Sequence, residues 1–127
     1  LATLLEESDY VVLTCPLTDD TRGLIDAEAF ALMKETAYLV NVARGGCVEE
    51  PAMLEALRRG SVAGAAIDQF WDDPLPEASP FWDIENVLIT PHTGGETEMY
   101  EENVVDILLE NLDRLWRGEQ ELFNQIV

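Results

Sequence analysis

Apolar residues gather along this chain in short runs, Tyr10 to Thr14, Ala37 to Asn41, Ala63 to Ile67 and Asn86 to Thr90, each bounded by polar, glycine or proline residues. Rich in β-branched, aromatic or small side chains, they read as strands, and the runs other than the small-residue Ala63 to Ile67 read as buried. The small residues of Ala63 to Ile67 would let a helix pack closely. Between the strands the signals are helical. Leu1 to Glu7 reads as a helix end, and Asp26 as the N-cap of a helix reaching about Met33. Pro51, tolerated in a first turn, opens a helix to Arg59 that Gly60 ends. A last helix is predicted from about Glu96 to Trp116, with Val104, Ile107, Leu108, Leu112 and Leu115 at helical spacing, acids opposite, and Gly118 as its cap. Strands alternating with short helices predict a parallel α/β fold in one domain. Pro16 to Thr21 reads as a turn. The stretch from Asp68 to Glu85, with Pro74, Pro76 and Pro80, is a loop too long to be a mere connector, and such loops usually carry function.

Composition narrows the picture. The chain has 127 residues, 47% of them hydrophobic, enough for one modest core. No apolar stretch approaches the roughly 20 residues that cross a bilayer, so no membrane partner is expected. Its 26 acidic residues against 7 basic ones give a formal charge of −19, which argues against nucleic acid. Lys34 is the only lysine. An acidic surface nearly free of lysine stems suits a halophilic protein in concentrated salt, where screening acts over a few ångströms. An ordinary acidic protein is the competing reading. Cys15 and Cys47 are too few and too isolated for a disulfide framework or a metal site, and are expected to be reduced thiols in a cytoplasmic protein.

Candidate chemistry lies just past two of the strands. Asn41-Val42-Ala43-Arg44-Gly45-Gly46 follows one, and Pro91-His92-Thr93-Gly94-Gly95 follows another. Both would lie at the carboxyl edge of a parallel sheet, where ligands bind in open α/β folds. Reducing a 2-keto acid requires a cation for the carboxylate, a proton donor for the oxyanion and a hydride source. Arginine suits the first, with a planar fork and a permanent charge. Histidine suits the second, since it titrates near working pH. A neighbouring carboxylate would favour the imidazolium. The hydride must come from a cofactor, because no side chain supplies one.

With these motifs, and with Ser8-Asp9-Tyr10-Val11-Val12-Leu13, Pro16-Leu17-Thr18, Thr21-Arg22-Gly23-Leu24-Ile25, Met33-Lys34 and Ala63 to Asp68, the chain resembles the NAD(P)-dependent D-isomer-specific 2-hydroxyacid dehydrogenases nearly from end to end. The resemblance implies the distal half of a Rossmann-type parallel sheet, about four strands with flanking helices, ending in a long C-terminal helix. It implies NAD or NADP as cofactor and glyoxylate, hydroxypyruvate or a related 2-keto acid as substrate. Arg44 matches the substrate-orienting arginine and His92 the acid/base histidine. The third catalytic member is a glutamate before the proline of a motif reading Asp-Val-Phe-x-x-Glu-Pro, and here Asp68-Gln69-Phe70-Trp71-Asp72-Asp73-Pro74 puts Asp73 in its place. Aspartate is shorter by one methylene, roughly 1.5 Å. Either the backbone closes that gap, or a water bridges it, or the pair with His92 is weakened and the pH range for reduction narrows.

The resemblance also marks a cofactor-binding set: Cys15, Pro16 and Thr21 on the adenine side, Ala43 and Arg44 in the arginine motif, Asp68 near the nicotinamide carboxamide, and His92, Gly94 and Gly95 around the ring. For Asp68 a structural role at the strand end competes, and for the two glycines a plain turn. A surface histidine capping a helix competes for His92, and a structural salt bridge for Arg44. Trp71, Phe81 and Trp82 could wall a substrate pocket or anchor the loop. The family's Gly-x-Gly-x-x-Gly turn, which cradles the pyrophosphate, does not occur in these residues. The chain is therefore expected to be a fragment, inactive alone, whose first strand is an exposed edge prone to self-association beside the family's usual dimer. A dinucleotide-sensing corepressor module and a formate-type dehydrogenase, which prefers a glutamine beside the histidine, are the rival readings.

Overall fold

The computed structural model describes residues 1–125 and divides into two compact units, Leu1–Gly94 and Gly95–Val127. The first unit holds α1 (Ala2–Glu7), β1 (Tyr10–Leu13), α2 (Ala27–Leu32), β2 (Tyr38–Asn41), α3 (Glu50–Arg59), β3 (Gly64–Ile67) and β4 (Val87–Ile89). Its four strands form one sheet in the order β1-β2-β3-β4, all parallel, with Leu13 opposite Asn41, Asn41 opposite Ile67, and Ile67 opposite Ile89. Every strand therefore ends at the same edge, and the loops that leave that edge are brought together.

Local signals act as the sequence predicts. The Asp26 carboxylate accepts from the Ala29 N–H at 2.8 Å and caps α2. Pro51 occupies the first turn of α3, and Gly60 closes that helix in the left-handed region at φ 69°. Leu5, Ile25, Phe30, Leu39, Met53, Leu57, Val62 and Ile67 form the buried core of the unit.

The buried-strand expectation needs correction on one face. Along β1 burial alternates, with Val11 and Leu13 inside and Tyr10 and Val12 exposed. Tyr38 on β2 and Leu88 on β4 are exposed too, and Tyr10 stacks on Tyr38 across the β1–β2 pair with ring centroids 5.6 Å apart. Uniform apolarity along a run cannot say which face will be covered.

The loop predicted from Asp68 to Glu85 contains a 3-10 helix, Pro80–Asp83, seated on an aromatic cluster. Trp71 stacks on the buried Phe81 with centroids 5.7 Å apart, Phe70 packs edge-on to both rings, and the Trp71 indole N–H donates to the Val48 carbonyl at 2.7 Å. Trp71 and Phe81 thus anchor the loop.

In the second unit, α4 runs Tyr100–Trp116, beginning four residues later than the predicted Glu96, and Met99 offers no side-chain cap. Gly118 follows it at φ 79°. The Asn111 side chain brackets the chain beyond the helix, donating to the Phe123 carbonyl at 3.0 Å and accepting from its N–H at 2.7 Å. Ile126 and Val127 lie outside the described residues. No helix among the described residues is long and apolar enough to cross a membrane.

Candidate active site

Four loops leave the carboxyl edge of the sheet, and each carries candidate residues. The loop after β1 brings Cys15, Pro16 and Thr21, that after β2 brings Ala43 and Arg44, that after β3 brings Asp68 and Asp73, and that after β4 brings His92 and Gly94.

Asn41, the last residue of β2, organises the arginine loop. Fully buried, it accepts from the Ala43 N–H at 3.0 Å through Oδ1 and donates to the Arg44 carbonyl at 3.1 Å through Nδ2. Its own carbonyl accepts from the Asp68 N–H at 3.0 Å, linking the loops after β2 and β3. Gly45 makes that junction close, since a methyl group there would come within 2.2 Å of the Phe70 backbone. Arg44 is exposed and donates from Nη1 to the Ala43 carbonyl at 2.7 Å. It enters no salt bridge with a carboxylate among the described residues, so its charge is available to a bound anion. Ala43 is buried, with its N–H and carbonyl both engaged in shaping the loop.

Asp68 is a buried anion with every near partner a donor. Oδ1 accepts from the Thr90 hydroxyl at 2.5 Å and the Thr93 N–H at 3.0 Å, and Oδ2 from the Gly94 N–H at 2.9 Å. The Thr90 hydroxyl foremost, then the two backbone N–H groups and the His92 charge, hold its carboxyl below the usual range against an opposing desolvation. A group shifted this way adds stability above its ordinary titration range and loses it as pH falls through the depressed value. Thr90→Val should therefore destabilise the protein by about 1.5–3 kcal/mol at neutral pH, and the deficit should shrink near pH 2. Denaturant titrations in molar salt measure both, and an equal deficit at the two pH values would take Asp68 out of the explanation.

The same carboxylate accounts for Gly94, whose added Cβ would lie 2.8 Å from Asp68 Oδ2. Gly95 begins the second unit and a Cβ there would meet nothing within 4 Å, so no internal contact demands glycine. Thr21 donates its hydroxyl to the Pro16 carbonyl at 2.7 Å and accepts from the Thr18 N–H at 2.8 Å, which makes it the clasp of its turn.

His92 and Asp73 meet directly, with Nδ1 and Oδ2 2.7 Å apart and both side chains about half exposed. The shorter aspartate reaches the histidine directly. His92 itself lies in the left-handed region at φ 58°, rare for a residue with a Cβ. Beside the pair is a cleft of 280 Å³ whose walls include Phe70, Leu75, Trp82 and Thr90. Trp82 is exposed and donates its indole N–H to the Pro76 carbonyl at 2.9 Å, so it both braces the loop and walls the cleft.

Sequence reasoning missed Asn41 and Thr90 as organisers. The available signal was a polar residue closing an apolar run immediately before each motif. Gln69 is also buried, with an amide nitrogen that finds no acceptor among the described residues.

The D-isomer specific 2-hydroxyacid dehydrogenase NAD-binding domain matches residues 1–94, the same span as the first unit. Glyoxylate/hydroxypyruvate reductase B of Pectobacterium carotovorum is 42% identical over 119 residues, covering 94% of this chain and 37% of that protein. D-3-phosphoglycerate dehydrogenase of Methanocaldococcus jannaschii is 40% identical over 116 residues, 91% of this chain and 22% of that protein. Among solved structures, a D-isomer specific 2-hydroxyacid dehydrogenase from Xanthobacter autotrophicus Py2 in complex with NADPH and MES superposes with a TM-score of 0.90 at 40% identity, over 100% of this chain and 51% of that one. The chain spans a little over a third of the length of the first curated relatives it matches.

Proposed function

Because the chain belongs to the D-isomer specific 2-hydroxyacid dehydrogenase family, we propose that the protein transfers hydride between NAD(P)H and a 2-keto acid such as glyoxylate or hydroxypyruvate, with Arg44, Asp73 and His92 as its catalytic groups. The observation that carries this reading is the His92 Nδ1–Asp73 Oδ2 contact at 2.7 Å. It occupies one ring nitrogen and leaves Nε2 as the proton-donating atom. Arg44, free of carboxylate partners among the described residues, grips the substrate carboxylate and polarises the adjacent carbonyl. As hydride reaches the carbonyl carbon, charge builds on oxygen and the Nε2 proton neutralises it.

Bound NAD(P)H supplies the hydride. The residues that would hold its nicotinamide end are Asp68 at the strand end, His92, and the glycines Gly94 and Gly95. Cys15, Pro16 and Thr21 would face its adenine side, and Ala43 would shape the loop beneath. No glycine-rich turn for the pyrophosphate occurs in the 127 residues, so this stretch tested alone should show no turnover.

The direct Asp73–His92 contact supports a catalytic pair over a non-catalytic sensor. Asp73→Asn should then lower kcat with KM little changed, because the imidazole loses the carboxylate that holds its ring. Steady-state kinetics of the natural full-length protein measure this, and an unchanged kcat would uncouple Asp73 from His92. The function itself is tested by oxidation of NADH and NADPH by the natural full-length protein in molar KCl against glyoxylate, hydroxypyruvate, pyruvate and branched 2-keto acids. Tight cofactor binding without turnover on any of them would overturn it in favour of the sensor.

The acidic surface, with a single lysine, supports a protein working in concentrated salt. The exposed edge strand β1, with Tyr10 and Val12 uncovered, supports self-association. Light scattering of the chain in molar KCl should report a dimer or larger species, and a monomer at high concentration would oppose it.

A further inference from the structure

The chain has only two cysteines, far apart in sequence, yet the fold brings the segments that carry them together against one core cluster. Cys15 lies two residues beyond β1, and Cys47 ends the 3-10 turn Gly45–Cys47 beyond β2, the strand paired with β1. The two segments touch: a Cβ added at Gly46 would lie 2.9 Å from Leu17 Cδ2. The Gly23 and Ile25 N–H groups bond the Gly46 and Cys47 carbonyls at 2.9 and 3.0 Å, so the cysteine turn is held in place. Cys47 is fully buried, while Cys15 is half-buried against the same core cluster.

We propose that Cys15 and Cys47 form an oxidisable dithiol that closes to an intramolecular disulfide next to the arginine loop. The two thiols divide the roles. Burial pushes the Cys47 thiol up, and the neighbouring Cys15 adds to the rise, so Cys47 stays protonated in the core. Cys15, half-buried and the more accessible of the two, meets the oxidant, a hydroperoxide. Its thiolate attacks one peroxide oxygen, the S–O bond forms as the O–O bond breaks, and with hydrogen peroxide a water leaves, giving a sulfenic acid. The Cys47 sulfur then attacks the Cys15 sulfur, the S–S bond forms and the hydroxyl leaves as a second water. Two thiols lose two electrons and two protons, and one peroxide becomes two waters. Closure requires Cβ atoms about 3.8 Å apart. It joins the Pro16–Thr21 turn covalently to the residue three places after Arg44.

The test is limited hydrogen peroxide on the folded chain in molar KCl, followed by alkylation of remaining thiols and proteolysis after arginine and lysine. Arg22, Lys34 and Arg44 put the two cysteines in separate peptides. The expected result is loss of both alkylatable thiols, a joined peptide pair from chains that remain single on a non-reducing gel, and reversal by dithiothreitol. Formation should be at least about tenfold faster in the folded chain than in guanidinium, and Cys15→Ser, at a half-buried site that does not threaten the fold, should leave Cys47 alkylatable. Two persistent thiols, Cys15 oxidised beyond sulfenic acid with Cys47 free, linkage only between chains, or equal rates folded and unfolded would each overturn the proposal.

Discussion

His92→Ala lowers turnover of the preferred 2-keto acid by about 10²–10⁴-fold, the range of a lost general acid, in the natural full-length protein. The loss should fall mainly on kcat, because the imidazole proton is needed only as charge builds on the carbonyl oxygen. KM should move little, since Arg44 rather than His92 holds the substrate carboxylate. The fold should survive, for the side chain is about half exposed and its hydrogen bond is to an equally exposed Asp73. Steady-state kinetics with circular dichroism on the same sample separate chemistry from folding. Turnover retained within a few-fold would remove His92 from the mechanism.

Transfer from molar KCl to millimolar buffer unfolds the chain. The formal charge is −19, and the cations that pair among the described residues do so at the surface, Lys34 with Asp9, Arg59 with Glu55, Arg114 with Glu110, and Arg117 with Asp113 and Glu119. Such pairs contribute little, a median of about 0–1 kcal/mol each, and leave most of the acids to repel one another. The screening length is about 3 Å at 1 M salt and about 30 Å at 0.01 M, so dilution switches on repulsion across the whole surface at once. Against that stands a modest core, and α4 buries no side chain. Far-UV circular dichroism at constant protein concentration follows the change. A spectrum unaltered by dilution would mean the acidity is not an adaptation to salt.

Strand positions were legible because four apolar runs with turn residues between them admit little else. Which faces are covered was not, because Tyr10, Val12 and Leu88 are as apolar as the buried Val11 and Leu39. Coverage depends on what packs against a sheet, not on the strand. The start of α4 was misread because Glu96 and Glu98 suit a first turn by charge, while no capping side chain fixes the boundary. Arg44 and His92 could be singled out by motif. The reach of Asp73 could not, since a missing methylene is visible in sequence and the distance left for it to span is not. Asp68 shows the same limit, its three donors coming from residues 22 to 26 positions later.

The left-handed backbone at His92 puts selection for robustness and selection for turnover in opposition at a single codon. A side chain held there costs about 1–2 kcal/mol, which glycine would relieve. Drift under demand for stability alone would therefore lead away from histidine. On the proposed mechanism, its presence answers a demand of catalysis. A lineage released from catalysis should lose this residue early and gain robustness from doing so, before any core position changes.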